Sequence, residues 1–203
     1  GRDAGLVRRL IGLSHVRCGV TVGCYQHLPR RKGALIVVNA RRYALAPIFT
    51  ALAISEAVDR PVRFIGRSDM VPFGPLSRRI GGLLDHADET FGALRAGELV
   101  VLGAEPTTGL RDVGRVKHEH VGAATAAGVQ VYPAASTSSP FSRTARVEIA
   151  QAARPGRGRR GPLAELELAD HVQAQIRRLL DELGEIRTGT PLDWLPLSGL
   201  GGN

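Results

Sequence analysis

The sequence predicts an α/β domain, a mainly parallel sheet flanked by helices and followed by a C-terminal helix and tail. Three observations predict it. Short apolar runs of strand length alternate with segments whose apolar residues recur at helical spacing. The clearest runs, such as Ala34-Leu35-Ile36-Val37-Val38, are apolar at every position, as in strands covered on both faces. A chain of 203 residues, 43% hydrophobic and 23% charged, is long enough for one such domain and excludes a disordered polymer.

Taken in order, Leu6, Val7, Leu10, Ile11, Leu13, Val16 and Val20 recur at helical spacing with Arg8, Arg9 and Arg17 between them, so residues 1–28 read as an amphipathic, basic helical segment. Such a helix packs on its own domain or lies flat on anionic lipid, and packing is the commoner outcome. A basic turn, Pro29 to Gly33, precedes the strand Ala34–Asn39. Helical spacing follows from Ala44 to Val58 and stops at Asp59-Arg60-Pro61, because proline disfavours helix in the residue before it. Val62–Gly66 is a second strand, Phe73–Ile80 a short helix closed by Gly81-Gly82, and Leu83-Leu84 a brief strand. Asp88–Arg95 is a helix with Asp88 as its capping residue, and Glu98–Leu102 a strand. Lys117–Ala127 is helical up to Gly128, and Val129–Ala134 and Thr144–Ile149 complete the strands.

The chain ends differently. Arg154 to Pro162 is a basic, turn-rich loop, Leu163–Leu183 a long helix, and Thr188–Asn203 an apolar Gly/Pro-rich stretch with the only Trp, Trp194. The expected organisation is therefore a helical segment over 1–28, an α/β domain over 29–186 and a tail over 187–203.

Lys plus Arg is 27 against 19 Asp plus Glu, a net charge of +8, which favours an acidic partner such as a phosphorylated ligand, an anionic membrane surface or nucleic acid. All basic residues but Lys32 and Lys117 are Arg, the side chain that grips phosphate bidentately, although biased codon usage explains the same excess. Aromatics are only 4% and no groove-reading helix is evident, so nucleic acid is an unlikely partner. Cys18 and Cys24 make no metal site by themselves, no other residues have zinc-ligand spacing, and no cofactor motif is present, so neither metal nor cofactor is expected. Cys24 is expected to be buried, the usual state of an inert thiol. No apolar run approaches the roughly 20 residues of a membrane span, and no secretory leader is recognisable, so the expected setting is cytoplasmic, with peripheral membrane attachment open. The first residue is Gly1 and not Met, which leaves an upstream segment open.

Four stretches carry a family resemblance: Gly33-Ala34-Leu35-Ile36-Val37-Val38-Asn39; Arg60-Pro61-Val62-Arg63-Phe64-Ile65-Gly66 with Val71-Pro72-Phe73-Gly74-Pro75-Leu76; Leu99 to Gly109; and Gly128 to Ala134. In their order and spacing, over residues 30 to 185, the chain resembles the glycerolipid (glycerol-3-phosphate and lysophosphatidic acid) acyltransferases. The resemblance implies an acyltransferase-like α/β fold and, as ligands, an acyl thioester or a phospholipid. In that family Asn is followed by His-x-x-x-x-Asp, the His taking the acceptor hydroxyl's proton and the Asp orienting the imidazole. Here those positions are Ala40 and Leu45, which do neither. None of the six histidines has an Asp five residues later.

The family's Glu-Gly-Thr-Arg corresponds to Glu105-Pro106-Thr107-Thr108, which lacks the Arg, and the Arg after the short second strand is replaced near Asp85-His86. Candidate ligand-binding residues are therefore Asn39, Arg41, Arg42, Glu105, Thr107 and Thr108. Arg41 and Arg42 read equally as an anion site beside the former catalytic turn or as solvated loop charges, and Glu105 as a carboxylate buried for structure.

His118-Glu119-His120 is the densest group of proton-transfer residues. On a helix, neighbours two apart face different ways, so one metal cannot take both histidines. His118 and His120 are alternative acid/base candidates, while polar surface residues at a helix start are the plainer reading. Ser136 to Ser139 read as a turn. Three functional readings result: a degenerate acyltransferase homologue that binds an acyl or phospholipid ligand, or a partner protein, at a membrane surface; an acyltransferase with a relocated base among His118, His120 and Glu105; and a structural or regulatory subunit docking through its tail.

Overall fold

The computed structural model describes residues 3, 5, 19–40, 46–66, 73–108, 112–139, 144–154 and 161–183. Seven strands form one sheet in the order β1-β7-β6-β2-β5-β3-β4. They are β1 (Gly19–Gly23), β2 (Ala34–Val38), β3 (Val62–Ile65), β4 (Gly82–Leu83), β5 (Leu99–Gly103), β6 (Gln130–Ser139) and β7 (Thr144–Ile149). Strands β6, β2, β5, β3 and β4 run parallel; β7 is antiparallel to β6, and β1 is parallel to β7. This is the mainly parallel, helix-flanked α/β fold with a C-terminal helix that the sequence predicts.

The strongest apolar run occupies the middle. All five residues of β2 are buried, because β5 and β6 take its backbone groups and helices cover both faces. Alternation divides its side chains. Leu35 and Val37 join one core with Val100, Leu102, Leu94, Val121, Val172 and Ile176, while Ile36 and Val38 join another with Ile54, Phe64, Val101 and Ile149. The first core lies under α3 (Ala87–Arg95), α4 (His118–Ala126) and α5 (Pro162–Glu182), and the second under α1 (Ala46–Ala57). A short helix, α2 (Phe73–Arg79), precedes β4. Each fully buried Leu or Ile stabilises by about 1.5–3 kcal/mol, so the two cores dominate the folding energy.

Several turns explain the motifs that surround the strands. Helix α1 ends where Ser55 Oγ donates to the Arg60 carbonyl (2.7 Å) and Asp59 takes a left-handed φ of 48°. The Arg60 guanidinium then donates to the carbonyls of Pro29 (2.6 Å) and Gly97 (2.9 Å), tying together the loops that enter β2 and β5. Arg63 of β3 pairs bidentately with Glu98 at 3.0 Å. Pro133 is tolerated inside β6 because its carbonyl faces the β7 side, where it accepts from Ala150 N–H, so the N–H it lacks is not one that β2 needs.

Four expectations are corrected. Val20, expected at the end of a helix, lies in β1, whose Gly19-Val20-Thr21-Val22-Gly23 alternates as a strand and pairs residue for residue with β7. Ser136 to Ser139, expected as a turn, extend β6, because β7 folds back and satisfies their backbone in an antiparallel ladder. His86, and not Asp88, occupies the N-cap of α3 without a side-chain cap; Glu89 in the first turn accepts the Leu84 N–H instead. Cys24 is exposed, held at a left-handed φ of 55° just after β1, where a hydrogen bond to the Glu148 carboxylate, with some desolvation, raises its thiol pKa. Most of the N-terminal helical stretch (6–18), Cys18, the loop 155–160 and the tail from 184 onward lie outside the described residues.

Candidate functional site

Parallel strands bring their carboxyl ends to one edge of a sheet, and α/β domains place their ligand crevices there. Here that edge holds a cavity of about 330 Å³. Its apolar wall comes from Ala40 after β2, Pro47 and Ile48 of α1, Phe64 and Ile65 of β3, and Leu102 of β5. Asp85, Glu105 and Lys117 supply its ionisable groups. Gly103 ends β5 because a Cβ there would stand 2.7 Å from the Pro47 ring, so only glycine lets the start of α1 close over the strand.

Ala40 presents a methyl group to this cavity, with nothing to accept or orient a proton. Leu45, Arg41 and Arg42 lie outside the described residues. Asn39 is buried, and both polar atoms of its amide are engaged: Nδ2 donates to the Ser136 carbonyl (3.0 Å) and Oδ1 accepts from the Ser136 N–H (2.7 Å). The amide stitches the end of β2 to β6. Thr107 N–H bonds the Ala40 carbonyl (3.3 Å) and its hydroxyl donates to the Asp112 carbonyl (2.9 Å), fastening the loop after β5; Thr108 is exposed. Glu105, expected to be buried, is exposed on the rim, because only its backbone is drawn inward, its N–H donating to the Arg115 carbonyl at 2.9 Å.

The two alternative acid/base candidates separate. His118 is half-buried, its Nδ1 3.7 Å from Glu119. His120, expected at the surface, is 2% exposed, because the inward face of α4 packs on α3. Its Nδ1 lies 2.9 Å from Thr90 Oγ1 and its Nε2 2.8 Å from Asp85 Oδ1. The other Asp85 oxygen accepts from Lys117 Nζ. Thr90 is fully buried and its hydroxyl lies 3.2 Å from the His86 carbonyl, so the chain Thr90–His120–Asp85–Lys117 runs from the core to the cavity rim. Burial raises the Asp85 pKa, but the hydrogen bonds and charges of Lys117 and His120 outweigh it and hold the carboxyl below the usual Asp value.

A second cavity of about 390 Å³ adjoins the first and shares Asp85, Glu105 and Lys117 with it; His86, Arg115 and His118 line its far side. Sequence reasoning passed over Asp85, Arg115 and Lys117 as site residues. The available signal was position: Asp85 follows the short strand β4 at the carboxyl edge, and Lys117 is one of only two lysines in an Arg-rich chain. Among the described residues no three His, Cys, Asp or Glu side chains are grouped to hold a metal ion, and no helix is long and apolar enough to cross a membrane.

No protein-family model matches the sequence, and no curated protein matches it. Among solved structures, the crystal structure of the 1-acyl-sn-glycerophosphate (LPA) acyltransferase PlsC from Thermotoga maritima is similar, with a TM-score of 0.64 and 17% identity, over 91% of this chain and 78% of that one. At that identity the likeness is one of fold: this chain has an acyltransferase-like α/β fold.

Proposed function

We propose that this protein is an acyltransferase-like scaffold that binds an acyl or phospholipid ligand at a membrane surface without transferring the acyl group. One observation carries the reading. The cavity at the carboxyl edge of the sheet persists with an apolar wall and a charged rim, yet Ala40 stands where the resemblance to the acyltransferases calls for the general base. An apolar cleft with a few convergent polar groups is the usual form of a small-ligand site. The net charge of +8 supports an anionic surface as the place of encounter.

The 2.8 Å contact between His120 and Asp85 favours a second reading, catalysis by a relocated pair. The geometry weighs against it. His120 is 2% exposed with both ring nitrogens engaged, by Thr90 and by Asp85, so neither nitrogen is free for a ligand's proton, and Asp85, which lines both cavities, is held below the usual carboxylate pKa and is a correspondingly weak base.

The test is acyl transfer from a set of acyl thioesters to glycerol 3-phosphate and lysophospholipids, followed by mass spectrometry, alongside native mass spectrometry of the same protein with lysophospholipids. Bound lipid without product is expected. Product that disappears in Asp85→Asn or His120→Ala would establish the relocated pair and overturn the binding-only reading. Absence of both product and bound lipid would overturn the ligand reading and turn attention to a protein partner.

A further inference from the structure

The rim shared by the two cavities sorts its charges unevenly. Lys117 and His120 both engage Asp85, and His118 faces Glu119, so these groups are spoken for. Glu105 and Arg115 are the carboxylate and guanidinium left over, with the His86 ring beside them on the second cavity. Both are exposed, both line the second cavity, and Glu105 also lines the first. Among the described residues neither side chain forms an ion pair. Their backbones are nonetheless locked together, Glu105 N–H on the Arg115 carbonyl at 2.9 Å. The lock is tight: a Cβ on the intervening Gly114 would collide with the Glu105 carbonyl oxygen, so this position accepts only glycine without displacing the backbone.

A carboxylate and a guanidinium held side by side on one cavity, without neutralising each other, complement a head that itself carries both signs. A guanidinium binds phosphate or carboxylate oxygens through paired N–H donors, and a carboxylate binds an ammonium. A phosphate monoester dianion would satisfy Arg115 while being repelled by Glu105. A neutral head would use neither charge. We infer that the second cavity is a head-group pocket selective for a zwitterionic head, an ammonium joined to a phosphate or carboxylate, on an amphiphile whose chain lies in the apolar cavity. The inference rests on the reading of that first cavity as an acyl-ligand site, and it assigns Glu105 and Arg115 as the specificity-determining residues.

The experiment titrates the full chain, below the critical micelle concentration, with four probes: three single-chain amphiphiles of equal chain length bearing a phosphocholine, a phosphate monoester or a glycerol head, and glycerophosphocholine, which has no chain. Exposed charge contacts are each worth up to about 1 kcal/mol, so the phosphocholine amphiphile should bind roughly fivefold or more tightly than the phosphate monoester. Glu105→Gln should shrink or reverse that ratio by strengthening the monoester. Arg115→Gln should weaken both phosphate-bearing amphiphiles, and neither variant should move the glycerol-headed one. Equal or tighter binding of the monoester to the unmodified chain, or a ratio unchanged by Glu105→Gln, would overturn zwitterion selectivity while leaving the acyl site standing. Failure of every chain-bearing probe would overturn the acyl-site reading itself, and the head-group inference with it. Glycerophosphocholine binding as tightly as its chain-bearing counterpart would overturn the placement of a chain in the apolar cavity, and with it the amphiphile, leaving a pocket for a soluble zwitterion.

Discussion

Replacing Asn39 by Asp changes one NH₂ to one oxygen, so it tests the stitch between β2 and β6 without opening a cavity. The Oδ1 that accepts the Ser136 N–H at 2.7 Å is retained, whereas the Nδ2 that donates to the Ser136 carbonyl at 3.0 Å becomes a carboxylate oxygen facing a carbonyl oxygen. Asn39 is 7% exposed, which leaves little room for water to substitute. One lost hydrogen bond costs about 1 kcal/mol and the unsatisfied carbonyl adds about 1–3 kcal/mol, so Asn39→Asp should destabilise by roughly 2–4 kcal/mol at neutral pH. With a urea slope of roughly 2–3 kcal/mol per molar, the midpoint should fall by about 1 M. Acid provides the internal control. Burial and the facing carbonyl favour the neutral carboxyl, so its folded-state pKa lies above the unfolded value of about 3.9. A group raised in this way contributes its stability at low pH and loses it as pH rises, so the deficit relative to the parent should shrink on acidification, when the neutral carboxyl donates its own O–H. Urea unfolding of both proteins at pH 7 and near pH 4 decides the matter. A variant within about 0.5 kcal/mol of the parent at pH 7, or a deficit that grows in acid, would refute the stitch.

Two further outcomes follow from the rim. Because Asp85 is held below its ordinary pKa by Lys117 and His120, its contribution is present above the unfolded value of about 3.9 and lost as pH falls through the depressed folded value; Asp85→Asn should flatten that acid limb in a series of thermal melts, and an identical limb in the variant would contradict the pairing of Asp85 with Lys117 and His120. Gly114→Ala forces its methyl against the Glu105 backbone and should cost about 1–3 kcal/mol in a thermal melt, with unchanged stability counting against the close approach.

The parts of the fold that were legible are those whose signal is local and strong. Ala34 to Val38 and Leu99 to Leu102 are apolar at every position because helices cover both faces, and that leaves a trace in sequence. Gly19 to Gly23 and Ser136 to Ser139 carry no comparable trace: they are strands because β7 pairs with them, from far along the chain for the first and across a short connection for the second, and a ladder is not written in either partner alone. The site divides the same way. That residue 40 is an alanine, with no group to accept a proton, is visible from residue type alone. The pairing of His120 with Asp85 spans 35 positions, and it depends on which face of α4 turns toward α3, which is decided by packing. Glu105 was misread because carboxylates in a loop beside a core strand can turn either way, and here only the backbone turns inward.

The pairing of β1 with β7 has a consequence for the order in which the chain is made. Among the described strands β7 is the sole partner of β1, and it lies roughly 120 residues further along, so at roughly 5–20 residues per second a ribosome exposes β1 on the order of 10 s before anything exists for it to pair with. Strands β2 to β5 have one another as partners earlier and can pair in that interval, whereas β6 is made just ahead of β7. The first of the described strands is therefore among the last of them to be incorporated, and during synthesis Gly19 to Gly23 is an unpaired edge available to a chaperone or to a neighbouring nascent chain.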